Sequence, residues 1–147
     1  MEKNSKLEIL ETYIGKTISD FGSPLTRWLA PEVLKVEPGH LEFSYIVRED
    51  MLNSISSLHG GISAAIIDDI IGFTMVTVKG ESGFYVTVNN VIDYFAPAFL
   101  GTKIVASTSL IKKGKQLSHV QCELWNDTRT RLLVRGISNM MFVPKKD

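Results

Sequence analysis

The chain alternates between apolar and polar positions through most of its length, and the exceptions to that alternation are its most informative parts. Residues 6–19 place Leu7, Leu10, Ile14 and Ile18 at helical spacing with charged residues between them, which predicts an amphipathic helix lying on a core. A break at Phe21-Gly22-Ser23-Pro24 follows. Residues 33–37 and 41–47 then alternate around Pro38-Gly39, the pattern of a hairpin. From His59 to Val78 alternation stops. Ile62, Ala64, Ala65, Ile66, Ile67, Ile70, Ile71, Phe73, Met75, Val76 and Val78 leave hardly any face polar, which predicts a helix buried all round. Residues 84–95, 102–111, 116–125 and 131–143 return to strand character, punctuated by Pro97, Lys113-Gly114 and Asn126-Asp127. In the second of these, Ile104, Ala106, Thr108 and Leu110 face one way and Lys103, Val105, Ser107 and Ser109 the other, as in a sheet with one buried face. The expected architecture is α+β, with one long helix inserted between the second and third strands of a meandering antiparallel sheet that curls around it.

Composition narrows the class. A chain of 147 residues, 44% hydrophobic and 22% charged, fits a single domain over 1–147, with 1–30 as an N-terminal helical extension. Sixteen Lys and Arg balance sixteen Asp and Glu, so no global field recruits nucleic acid or an anionic membrane, and neither is expected as a partner. The apolar segment has the length of a membrane span, but Asp68 and Asp69 at its centre would each cost about 2.5–3.5 kcal/mol in a bilayer. A single cysteine, Cys122, excludes an internal disulfide, and MEKNSKLEIL lacks the apolar run of a signal peptide, so the cytoplasm is the expected compartment. Cys122 alternates with Val120 and Leu124 and is expected to pack in the core or at an interface. His40, His59 and His119 have no metal-ligand spacing, and neither a metal nor a cofactor is expected.

The run LNSISSLHGGISAAIIDDIIG concentrates polar groups at the start and middle of the apolar helix. Gly60 and Gly61 fall in its first turn, where backbone N–H groups lack helical partners and the missing side chains let another molecule approach. Such donors can form an oxyanion hole, worth about 2.7–4 kcal/mol per donor in acyl transfer. Asp68 and Asp69 are expected to be buried acids. Adjacent helical residues diverge by roughly 100°, so one of them addresses a pocket and the other is structural. Gly60 and Asp68 stand about 12 Å apart along a helix, too far for one small reacting group to touch both. If both serve one reaction, the carboxylate comes from a second copy of the helix running antiparallel, and the site is shared across a dimer. Taken singly, a glycine pair is a tight entry turn and a buried Asp a backbone cap; Asn53 and His59 just upstream make the combination distinctive.

The spacing of Asn53, five residues, His59-Gly60-Gly61, and an acid nine residues after the histidine at Asp68 resembles the hotdog-fold thioesterases of the phenylacetic-acid-degradation type, including their acyl-CoA thioesterase 13-like branch. The similarity continues through YVTVNNVIDYFAPA at 85–98 and Lys112-Lys113-Gly114-Lys115, covering roughly residues 33–143. The resemblance implies a long central helix wrapped by a curved antiparallel sheet of about five to six strands, in dimers or dimers of dimers. It implies an acyl-CoA substrate, with coenzyme A as part of that substrate and no other cofactor. It also implies roles: Gly60 N–H, helped by Asn53, polarises the carbonyl; Asp68 is general base or nucleophile; Thr87 orients water or the acid; His59 holds the loop. Gly61 lies at the substrate, and Lys112, Lys113 and Lys115 are candidates for the phosphates of coenzyme A, with simple solvation of a turn as the alternative. A thiolate whose conjugate acid has a pKa of about 8.5 leaves without strong acid assistance, so a sparse site suffices. The rival expectation is a non-catalytic hotdog module that binds acyl-CoA or another apolar ligand, which has no need of a carboxylate facing that ligand.

Overall fold

A computed structural model describes residues 4–78 and 82–146. Helices α1 (Ser5–Glu11) and α2 (Pro24–Leu29) precede the hairpin β1 (Glu32–Glu37) and β2 (His40–Ile46). Helix α3 (Gly60–Thr77) follows, and then β3 (Gly83–Tyr94), β4 (Lys103–Lys113), β5 (Leu117–Asn126) and β6 (Leu132–Pro144). All pairings are antiparallel, in the order β1-β2-β4-β5-β6-β3.

The sheet is therefore not the expected meander. After α3 the chain enters at the far edge, so β3 pairs with β6 rather than with β2, and among the described residues no strand pairs with its other edge. Helix α3 spans the concave face: Ile66, Ile67, Ile70, Ile71 and Met75 are fully enclosed, against Leu41, Phe43 and Tyr45 of β2, Ala106 of β4, and Val120, Cys122 and Leu124 of β5. Burying each of these large side chains contributes about 1.5–3 kcal/mol. Gly136 is what lets the sheet approach so closely, since a Cβ there would stand 2.7 Å from Ile67 Cγ2.

Two expectations about helices are corrected. The apolar helix is not buried all round: Gly61 and Asp68 are exposed and Ala64, Ala65 and Gly72 half-exposed, so a stripe of small residues with one acid remains open beside the buried face. One sheet covers only one side of a cylinder, and apolar content does not reveal which side. The helix expected over 6–19 ends at Glu11. Gly15 turns at φ +80°, and Ile18 reaches the core from an extended segment in which Thr17 bridges to Glu32. Helix α2 was not expected, although its signals are local: Ser23 caps it, Pro24 opens it, and Ser23 and Thr26 bond reciprocally as a capping box. Helix α3 has the length and hydropathy of a membrane span, but half of it is buried against the sheet, as in a soluble core helix.

Candidate active site

The site is assembled around the exposed stripe of α3. At the start of the helix, His59 is the N-cap, with an extended backbone and Nδ1 accepting the Gly61 N–H at 2.9 Å. That bond places the imidazole proton on Nε2. His59 O accepts from the Ile62 and Ser63 amides. Of the first-turn donors, the Gly60 N–H alone is not used in these cap bonds, whereas the Gly61 N–H is spent on His59. Tyr94, at the end of β3, donates its hydroxyl to Gly60 O at 2.7 Å and lays its ring where a Gly60 Cβ would stand 3.3 Å away. Asn53 lies in the preceding loop. Its Oδ1 accepts from the Ile55 and Ser57 amides and its Nδ2 donates to Ser57 Oγ at 2.9 Å, which fixes the loop and leaves one amide hydrogen over.

Two turns further on, Asp68 faces β3. Its Oδ1 accepts Thr87 Oγ1–H at 2.8 Å and Asn90 Nδ2–H at 3.0 Å. Asp68 is exposed, which corrects the expectation that both aspartates are buried. Thr87 and Asn90 would lie on opposite faces of a regular strand. The pairing of β3 with β6 shifts register between Thr87 and Asn89, and this bulge at Val88 brings both side chains to the helix side.

Asp69 turns the other way, towards α2, where its Oδ1 accepts Thr26 Oγ1–H at 2.8 Å. Its Oδ2 is buried without a partner, as is the nearby Tyr45 hydroxyl. Burial pushes the Asp69 carboxyl above its ordinary value, the Thr26 hydroxyl partly offsets this, and the charge of Asp68 adds to the rise. Between α2, α3 and β3 opens a groove of about 400 Å³, with Leu25, Phe73, Val76, Tyr85 and Met140 as apolar walls and Asp68 and Thr87 among its lining.

A profile of the thioesterase superfamily matches residues 56–133, which span the capped helix start, Asp68, Thr87 and Asn90. The chain is 32% identical to human acyl-coenzyme A thioesterase 13 over 105 residues, covering 71% of this chain and 74% of that protein. The chain belongs to the thioesterase superfamily. The mouse acyl-coenzyme A thioesterase 13 is 35% identical over 91 residues, covering 61% of this chain and 64% of that protein. Among solved structures, PaaI of the E. coli phenylacetic acid degradation operon superposes with TM-score 0.77 at 18% identity, covering 85% of this chain and 88% of that one. Streptococcus mutans smu.793, bound to acetyl CoA, gives 0.76 at 18% identity over 88% and 98% of the two chains. The fold is the hotdog fold, and the protein is a thioester hydrolase.

For a thioesterase, the remaining candidates fall at the periphery. The turn carrying Lys112, Lys113 and Lys115 lies at the C-terminal end of α3, where Lys113 Nζ donates to Val78 O at 2.8 Å and caps the helix. Lys112 and Lys115 are exposed. Lys103 and Arg131 line a separate cleft of about 160 Å³ beside Ala98, near the start of α3. Cys122 is fully buried, and burial raises its thiol far above its ordinary value, so it supplies no nucleophile. Asn90, Tyr94 and Thr26 escaped sequence reasoning; a capping signal at Ser23-Pro24 was available for Thr26, whereas Asn90 depends on the bulge.

Proposed function

We propose that this thioesterase hydrolyses acyl-CoA thioesters to the free acid and coenzyme A, in a site completed by a second copy of the chain. The observation that carries the proposal is Asp68. Two neutral donors anchor one of its oxygens, the other has no hydrogen-bond partner among the described residues, and an apolar groove opens beside it. The names of the relatives, acyl-coenzyme A thioesterase 13, and the acetyl CoA bound to smu.793 support the substrate class.

Pairing is supported by three features of the single chain. Gly60 and Asp68 are separated by about 12 Å of helix. The α3 stripe of Gly61, Ala64, Ala65, Asp68 and Gly72 is uncovered and small enough for a second helix to lie close. Strand β3 has an unpaired edge and exposes Val88 and Val91, a combination that favours edge-to-edge pairing. Antiparallel apposition of two α3 helices brings the Gly60 of each beside the Asp68 of the other.

In that arrangement the acyl group lies in the Phe73, Val76, Tyr85 and Met140 groove. The thioester oxygen accepts from the Gly60 N–H of one chain, with the spare Asn53 amide hydrogen and His59 Nε2–H nearby. Asp68 of the other chain takes a proton from water as its oxygen attacks the carbonyl carbon. The tetrahedral intermediate then collapses, the C–S bond breaks, and coenzyme A leaves as a thiolate. Thr87 holds the carboxylate, and Lys112 and Lys115 are assigned to the phosphates. A panel of acyl-CoAs with thiol-release detection tests this: turnover is expected, and Asp68→Asn is expected to abolish most of it. Unchanged turnover in that variant would remove Asp68 from the mechanism.

A further inference from the structure

We propose that Asn90, oriented by Ser138, is a positioning residue for Asp68, a role that rests on the catalytic use of Asp68 proposed above. Ser138 of β6 is completely buried and donates its hydroxyl to Asn90 Oδ1. A side-chain amide has one acceptor end and one donor end. Committing the acceptor end to Ser138 turns the donor end, Nδ2, towards Asp68 Oδ1, where it lies at 3.0 Å. Thr87 adds its hydroxyl to the same oxygen at 2.8 Å. Both donors therefore hold Oδ1, fix the plane of the carboxylate, and leave Oδ2 to meet water and the thioester.

The surroundings give these neutral donors their weight. Facing Asp68 across the groove are Ser23, Leu25 and Thr26 at α2, Tyr85 of β3 and Met140 of β6, with Asp69 as the neighbouring carboxyl on α3. Among the described residues, no Lys, Arg or His lines that groove. Hydrogen bonds from Thr87 and Asn90 are what hold Asp68 Oδ1 in place, and hydrogen bonds to an ionised group are stronger than those between neutral partners. The bulge at Val88 is what allows two residues three apart to serve one oxygen, which gives that irregularity of β3 a purpose. Thr87 alone would leave the carboxylate free to swing about a single bond.

The test uses Asn90→Leu, the isosteric Asn90→Asp, and Ser138→Ala. Removing the donor in Asn90→Leu is expected to lower kcat by about tenfold or more, the scale of one hydrogen bond to a charged group, while KM changes by less than about twofold. The acidic limb of the kcat/KM profile should move to higher pH, and further still in Asn90→Asp, where a second anion faces Asp68. Ser138→Ala should show the same direction with smaller size. A parallel readout needs no turnover: the Asp68 carboxyl carbon, followed by NMR, should titrate at higher pH in Asn90→Asp than in the native protein. Folded variants with unchanged kcat, pH profile and carboxyl titration would overturn the proposal. A shifted carboxyl titration in a protein that hydrolyses no thioester would sustain the Asn90–Asp68 coupling and sink the catalytic reading instead.

Discussion

Asp68 and Asp69 are consecutive and chemically identical, yet the fold gives them opposite surroundings. Asp68 is exposed, faces β3 and accepts two hydrogen bonds on one oxygen. Asp69 is turned roughly 100° around the helix, which takes it under α2, where one hydroxyl meets it and its second oxygen is buried unpaired. The first arrangement presents a held carboxyl group to the groove. The second favours a neutral acid that ties an N-terminal helix to the core. Helical geometry alone separates the acid proposed to react from the one that fastens.

The widest separation is expected from replacing each acid by its amide. Asp68→Asn should reduce kcat/KM by about 10²- to 10⁴-fold, the range of a lost general base, with little change in thermal stability, whereas Asp69→Asn should remain within a few-fold of native activity. Equal losses in the two variants would abolish the distinction. Thr26→Val should next cost about 1–3 kcal/mol in denaturant titration, because it leaves both oxygens of a buried carboxyl unbonded, while kcat stays near native if α2 keeps its place.

A pH series sharpens the contrast. Burial raises the Asp69 pKa above its ordinary value of 3.8, so the folded state binds that proton more tightly than the unfolded chain. Its contribution to stability is present at and below that ordinary value and is lost as pH rises through the folded pKa. Relative to the native protein, Asp69→Asn should therefore be least favourable near pH 4 and gain through the mildly acidic range, measured by denaturant unfolding across that series. A parallel pH dependence in the two proteins would contradict the burial of a titrating Asp69. The smallest effect is expected furthest from both acids. Neutralising Lys112 and Lys115 together should raise KM for acyl-CoA by about threefold with kcat unchanged, and more at low ionic strength. A null result there, with a KM effect at Lys103 and Arg131, would move the phosphates to the cleft near the start of α3.

The six strands and the long helix were legible because alternation and its interruption are local properties. The strand order was not, since the passage of β3 to the edge beside β6 depends on where α3 delivers the chain. The segment 6–19 misled because Ile14 and Ile18 keep helical spacing across Gly15, which turns with positive φ. Within the site, spacing selected Asp68 and the family resemblance selected Thr87, which the fold brings to 2.8 Å of each other, and spacing placed Gly60 at a helix start. Spacing did not distinguish the Gly60 amide from that of Gly61, which His59 consumes. Asn90 and Thr26 were invisible as partners, the one needing a bulge and the other a contact 43 residues away.

The central claim, that one chain supplies the oxyanion donor and another the carboxylate, is tested most directly by mixing two inactive proteins. Gly60→Pro removes the N–H at the first helical position, where proline is tolerated, and His59 already has the extended backbone that a following proline requires. Co-refolded at equal amounts with Asp68→Asn, it should form about half hybrid dimers, each with one intact site, and recover about a quarter of native turnover. Confirmed mixing with no recovered turnover would place both groups in the same chain and contradict the account.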